Sequence, residues 1–249
     1  MKNKKNIGTL LFVICFINAN PSKSTYYRVI GEVSAFIYLE LNYNINPLKG
    51  PIKKIEQVNN FDTNFRNSLK WSNDNLEKAN LLSDILLYGV VVGSIPTTPL
   101  LSKRNYSTLL LLNLEVLSVN GIITDLIKTI SKRERPYSRY GNVTKSNDTY
   151  RSFYSGHTSS AFSIAVSTAL SFSQEFPDKK NKIWLTAISF ATATGYFRIA
   201  GDKHYLTDVL AGAIIGSLVG YSFQSQVYNQ KIKYSISPKN QNFKVNYFF

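Results

Sequence analysis

Two histidines, His157 and His204, are all the imidazole this 249-residue chain holds, and each stands beside residues that give it a task. His204 is followed four positions later by Asp208. On a helix that spacing brings both side chains to one face, where the carboxylate can hold the imidazole by one nitrogen. The other nitrogen is then free to attack, as a nucleophile oriented by an acid behind it, and with phosphorus as electrophile the expected intermediate is a phosphohistidine. Ser155 and Gly156 lie where a helix should begin, so backbone N–H groups and the positive helix end can cradle phosphate oxygens. His157, on the first turn, can reach a leaving oxygen as general acid. Lys128, Arg135 and Arg198 supply positive charge for the remaining oxygens, and a guanidinium aims its contacts better than an ammonium does. Phosphoryl transfer needs mainly such positioning and charge stabilisation.

These residues require elements that bring them together. Five apolar segments, Leu81 to Leu101, Tyr106 to Ile127, Thr158 to Phe172, Ile183 to Ile199 and Tyr205 to Phe223, have the length of helices, not strands. The three clusters of chemical residues fall at ends of these segments that a single topology places on one side. Most segments approach the ~17–25 residues needed to cross a bilayer, although Asp84, Pro96, Asn113, Glu115, Asn120 and Asp125 make them less greasy than plain anchors. Glu115 and Asp125 are read as polar contacts between helices. Gly212, Gly216 and Gly220 recur every four residues and predict a close helix approach.

Around this core, residues 80–224, the chain divides further. Lys2, Lys4 and Lys5 precede an apolar run from Ile7 to Ala19, so residues 1–19 read as an export signal or an uncleaved first membrane helix. The only cysteine, Cys15, lies in that run, so no disulfide framework is expected. Residues 20–79 are polar and aromatic and predict one or two short helices in a lead-in region. Residues 225–249 form a basic tail.

A formal charge of +14, from 29 Lys and Arg against 15 Asp and Glu, points to an anionic partner. Nucleic acid is not expected, because the basic residues sit in short loops between apolar stretches and line no polar helix. The connectors obey the rule that cytoplasmic loops are rich in Lys and Arg: Lys103 with Arg104, Lys179 with Lys180 and Lys182, and Lys231, Lys233, Lys239 and Lys244 after the last segment all fall on one side. The opposite, outer face then carries residues 20–79, Thr129 to His157, and Ala200 to His204. The excess cations Lys132, Arg133, Arg139, Lys145 and Arg151 are expected to be solvated rim charges that attract an anionic lipid surface. Two histidines without matching ligands predict no structural zinc.

At Lys128-x6-Arg135-Pro136, Tyr154-Ser155-Gly156-His157 and Phe197-Arg198-x5-His204-x3-Asp208 the chain resembles the type 2 phosphatidic acid phosphatase and vanadium haloperoxidase superfamily. The family's usual Pro is Tyr154 here, and its usual Ser is Phe197. The resemblance covers about Asn80 to Phe223. It implies an all-α bundle of five or six helices and metal-free, cofactor-free hydrolysis. In it His157 is the acid, His204 the nucleophile and Asp208 its partner, with Lys128, Arg135, Ser155, Gly156 and Arg198 on the phosphate. The expected substrate is a lipid phosphate or diphosphate met at a bacterial inner membrane, with the site facing the periplasm. A soluble exported acid phosphatase of the same superfamily and a catalytically silent membrane protein are the rival readings.

Overall fold

The computed structural model describes residues 21–45, 59–103, 106–141 and 148–235, with the backbone alone for 44–45, 90 and 225–235. The expected signal or first membrane helix, Cys15, Lys145, Lys239 and Lys244 lie outside the described residues. Among those described, every regular element is helical: α1 (Lys23–Ile45), α2 (Asn60–Leu69), α3 (Leu76–Ile85), α4 (Gly93–Leu101), α5 (Tyr106–Ser131), α6 (Pro136–Tyr140), α7 (Gly156–Glu175), α8 (Lys180–Ala200) and α9 (Leu206–Ser235). A π-helical stretch, Leu86–Val92, joins α3 to α4. The all-α bundle expected from the apolar segments is the fold observed. Its lead-in differs from expectation, because α1 is 23 residues long and packs on α5. Helix α9 also runs past residue 224, the expected end of the core, to Ser235.

Helix α7 is the centre of the bundle, packed against α9, α8 and α5. Its Ser159, Ser163, Ser167 and Ser171 recur every four residues and are all buried, which puts a narrow ridge on one face. The glycines of α9 meet that ridge. A Cβ at Gly216 would lie 2.1 Å from the Ser159 carbonyl oxygen, and one at Gly220 would lie 2.2 Å from that of Ser163. Both backbones therefore occupy space that a methyl group would need, which is the close packing of small residues expected from the sequence.

Polar residues within the apolar helices also have structural work. Pro99 has no N–H for the Ile95 carbonyl, and Asn113 of α5 donates its Nδ2 to that oxygen at 3.2 Å and to Thr98 Oγ1 at 3.0 Å. Glu115 pairs with Arg28 of α1 at 2.8 Å, a contact between helices as expected, whereas Asp125 pairs with the buried Arg151 of the connector before α7.

Three stretches among the described residues are long and apolar enough to cross a membrane: Asn73–Leu101, Tyr106–Tyr140 and Leu206–Gln224. Outward on α9, Leu210, Ile214, Leu218 and Tyr221 form a stripe, each about half exposed or more. A stripe of large apolar side chains turned outward suits a lipid neighbour. Helices α7 and α8 run antiparallel from the site to the Pro177–Lys179 connector. That separation is about 30 Å for a 20-residue helix, so Lys179, Lys180 and Lys182 stand at the end opposite the histidines.

Candidate active site

Between α8 and α9 the chain reverses through Gly201 to Tyr205, and His204 stands in this turn, not on a helix. That corrects the one-helix reason given for its pairing with Asp208, yet the pair meets. Tyr205 caps α9, and Asp208, in the first turn, reaches back to accept the Tyr205 N–H at 3.0 Å. This is one half of a capping box. The same carboxylate oxygen, Oδ2, accepts from Ser152 Oγ at 2.6 Å and lies 3.5 Å from His204 Nδ1. At that distance the two groups face each other without a formed hydrogen bond, and Nδ1 has no other partner.

On the other side of the ring, Arg135 Nη1 donates to His204 Nε2 at 3.1 Å. A guanidinium can only donate, so Nε2 carries a lone pair and the neutral ring keeps its proton on Nδ1, toward Asp208. Burial, followed by the charges of Arg135, Arg198, Lys128 and His157, holds this imidazole well below its ordinary value of 6.5.

Arg135 itself is 3% exposed and is fixed at every nitrogen. Its Nε donates to the Asp148 carbonyl at 2.9 Å, Nη1 also reaches the Lys203 carbonyl at 3.2 Å, and Nη2 meets the Asp148 carboxylate at 2.8 Å. Burial would raise the Asp148 carboxyl, but Arg135, Lys128 and Arg151 outweigh it and hold the group below the usual range. Lys203, in the turn itself, is lowered by burial and then by Arg135 and Arg198. Lys128 is buried on α5 beside the start of α7, where a Cβ at Gly156 would lie 3.4 Å from its Nζ. Ser155 caps α7, its Oγ accepting the Thr158 N–H at 3.4 Å and bonding Thr158 Oγ1 at 2.8 Å. Its hydroxyl serves the helix start, and its backbone marks where the free N–H groups begin.

His157 and Arg198 line a cavity of about 440 Å³ with Asn80, Asp84, Tyr88 and Lys203. Asp84 joins the two, 2.9 Å from His157 Nε2 and 3.6 Å from Arg198 Nη1, and the Tyr88 ring meets the imidazole edge-on at 6.3 Å. His204, 1% exposed, does not line the cavity. The eight residues singled out from the sequence thus converge. Three of the cations are buried together, with one carboxylate, Asp84, on the His157 and Arg198 side and another, Asp148, on the Arg135 side.

Sequence reading missed the supports. Arg133 was expected to be a solvated rim charge. It is instead a bridge, donating from Nη1 to Asp208 Oδ1 at 2.5 Å and from Nη2 to Asp62 Oδ2 at 2.6 Å. Arg151, assigned the same rim role, is 4% exposed and stacks over the Tyr43 ring at 3.7 Å. Asp62 and Arg66, in the supposed lead-in, are buried, and Asp84 was noticed only as an impurity in an apolar segment. Charge density at this end of the bundle was visible in the sequence, but the partner of each charge depends on the fold. The two departures from the family pattern are absorbed by packing. Tyr154 is wholly buried with its hydroxyl 3.1 Å from Thr124 Oγ1, and Phe197 meets Trp71 edge-on at 5.7 Å.

Comparison with known proteins agrees with this picture. Over 83 residues the chain is 32% identical to the lipid A 1-phosphatase of Porphyromonas gingivalis, a match that spans 32% of this chain and 17% of that protein. Two crystal structures share the fold. One is the first transmembrane PAP2 type phosphatidylglycerolphosphate phosphatase from Bacillus subtilis, at TM-score 0.55 and 18% identity, covering 86% of this chain and 100% of that one. The other is LpxE of Aquifex aeolicus, at TM-score 0.51 and 19% identity, covering 70% and 99%. Residues 109–232 match the sequence profile of the PAP2 superfamily. That span holds all eight of the converging residues, and with the helical bundle around them it establishes that the chain belongs to the PAP2 superfamily.

Proposed function

We propose that this protein is a membrane-bound, metal-independent phosphatase that removes phosphate from a lipid phosphate or diphosphate through a phosphohistidine intermediate. The observation that carries the reading is the setting of His204, with an Nε2 lone pair turned to the Arg135 guanidinium and Nδ1 turned to Asp208. In the first step Nε2 attacks phosphorus, the bond from phosphorus to the ester oxygen breaks, and His157 gives that oxygen its proton. In the second step water attacks the phosphohistidine, His157 takes the water's proton, and the N–P bond breaks. Phosphate oxygens would take over the guanidinium contacts of Arg135 and Arg198 that Asp148 and Asp84 now occupy, with Lys128 and the N–H groups at Gly156 completing the cradle. Preference for a lipid is supported by the outward apolar stripe of α9, by the three bilayer-length stretches and by the substrates that the similar proteins are named for. The arrangement of basic connectors favours a site on the periplasmic face.

The test offers phosphatidate, phosphatidylglycerol phosphate, a lipid A 1-phosphate and a polyprenyl diphosphate in detergent micelles, and the soluble ester p-nitrophenyl phosphate, to the purified protein with and without EDTA. Phosphate release from at least one lipid, undiminished by EDTA, is expected. Release only from soluble esters would favour the acid phosphatase alternative, and recovery of the protein in the supernatant after alkaline carbonate washing would sink membrane attachment.

The pH dependence follows from burial and the cations around His204. The attacking form is the neutral ring, and burial together with Arg135, Arg198, Lys128 and His157 disfavours its protonation. The ring therefore stays neutral below the ordinary histidine value of 6.5. The acid limb of kcat/KM, which reports the free enzyme, is expected below that pH, and a limb above it would contradict the assigned nucleophile.

A further inference from the structure

Helix α2 lies before the residues that match the family profile, and among its ten residues only two are buried, the charged side chains of Asp62 and Arg66. They are four apart and so share one face. Each meets a different side of the turn that carries His204. Arg66 grips Asp202 with two parallel bonds, Nε to Oδ1 and Nη2 to Oδ2, both 2.6 Å. Asp62 accepts from the Thr207 N–H at 2.9 Å, from Thr207 Oγ1 at 2.6 Å and from Arg133 Nη2 at 2.6 Å. Arg133 in turn holds Asp208.

We propose that α2 is a two-point clamp on the turn between α8 and α9, and that Asp62 and Arg66 are positioning residues that fix His204 against Asp208. This rests on the reading of His204 as nucleophile. Burying ions is expensive, and apolar packing of the same volume would stabilise the fold as well or better. What the pairs add is direction, since a bidentate guanidinium on a carboxylate fixes both distance and orientation. The turn needs fixing, because Asp202 sits at φ 58, in the left-handed region that few residues other than Gly, Asn and Asp adopt readily. Two residues on, His204 Nδ1 is 3.5 Å from Asp208 with no other partner, so a small slip of the turn would break the alignment. Backbone bonds also hold the turn: Trp71 N–H to the Ala200 carbonyl at 3.0 Å, Tyr137 N–H to that of Asp202 at 3.1 Å, and the N–H groups of Lys203 and His204 to that of Arg198 at 3.0 and 3.2 Å. Among side chains, Asn80 Nδ2 reaches the Gly201 carbonyl at 3.4 Å, and Arg66, Asp62 and Arg135 supply the charged contacts that tie the turn to other elements.

The test uses the full chain in detergent micelles, with Asp62→Asn, Arg66→Met, Arg66→Lys, Asp202→Asn and the double variant R66M/D202N. In D62N and R66M kcat on the phosphatidate or other lipid phosphate cleaved by the wild type should fall about 10–100-fold, the scale of a misplacement near 1 Å. KM and inhibition by inorganic phosphate should stay within about threefold, because the phosphate contacts come from Arg135, Arg198 and Lys128. Arg66→Lys should recover part of the loss, R66M/D202N should be no slower than R66M, and backbone amides of 201–207 should exchange faster in both single variants. Unchanged kcat in D62N and R66M overturns the clamp. So does a joint loss of kcat, phosphate inhibition and global unfolding temperature, which would mark a merely structural contact. If neither variant folds, R66K and D202N decide by the same split of kcat from KM. A wild type inactive on every ester refutes the catalytic reading instead, and the clamp is then judged by exchange alone, where unchanged protection of 201–207 sinks it.

Discussion

His204→Ala should reduce phosphate release to background, a loss of more than about 10³-fold in kcat, and should remove any acid-labile phosphoenzyme trapped during turnover. The size of the effect follows from what no neighbour can replace. Arg135, Arg198 and Lys128 have no lone pair to offer phosphorus when charged, and the nearest other imidazole, His157, is held by Asp84. Asp208 is committed to Ser152, the Tyr205 N–H and Arg133, which leaves it poorly placed to attack in place of the ring. The phosphate cradle does not depend on the imidazole, so the variant should still bind inorganic phosphate. Binding with turnover lost identifies a missing nucleophile, whereas binding and turnover lost together would indicate a collapsed pocket. Turnover at the wild-type rate would refute the assignment of His204, and with it the phosphohistidine. Trapping in an alkaline quench with radiolabelled substrate, where the N–P bond survives, measures the intermediate directly, and its persistence in the His204 variant would move the nucleophile elsewhere.

The helical fold and the residues that converge at the candidate site were legible in the sequence for related reasons. Helices announce themselves by length and apolar content, and the three motifs fall near their ends, so Lys128, Arg135, Ser155, Gly156, His157, Arg198, His204 and Asp208 could be named without coordinates. The Gly212, Gly216, Gly220 stripe also translated directly into close packing on α7. What could not be read was whether a given charge is solvated or paired. Arg133, Arg139 and Arg151 look alike in sequence, but Arg133 bridges two carboxylates and Arg151 is buried against Asp125. Their partners, Asp62, Asp208 and Asp125, come from distant parts of the chain. Asp62 and Arg66 were hidden for a second reason. The apolar row of α2, Phe61, Phe65 and Leu69, is not the face it buries: Phe61 and Phe65 are 48% and 40% exposed, and the helix docks through Asp62 and Arg66 instead of through the hydrophobic face that periodicity detects. Even His204 with Asp208 was paired for a reason the fold corrects, because the helix starts after the histidine and the contact is made by a capping carboxylate reaching back.

His157→Ala provides the second large effect and separates the two imidazoles by chemistry. On an alkyl phosphate such as a diacylglycerol phosphate, the leaving oxygen departs as a strongly basic alkoxide unless it is protonated. Loss of a general acid then costs about 10²–10⁴ in rate. On p-nitrophenyl phosphate the leaving group is stable as an anion and needs no proton, so formation of the phosphohistidine should slow much less. The next step still suffers, because hydrolysis of the N–P bond uses the same imidazole to take a proton from water. The variant should therefore release about one equivalent of nitrophenol per site in a fast phase, then turn over slowly with the phosphoenzyme accumulated. Rapid-quench measurement of the burst, with both substrates, checks this. Equal loss of the fast phase on both esters would mean that His157 acts by binding phosphate and not by moving a proton. The neighbourhood of the ring makes the test a fair one. His157 is on the first turn of α7, with its Nε2 turned to Asp84 and the cavity, while Arg198 and Lys128, which would hold the phosphate, are anchored on α8 and α5. Removing the imidazole leaves both of those cations in place, so a change in leaving-group dependence can be assigned to the lost proton.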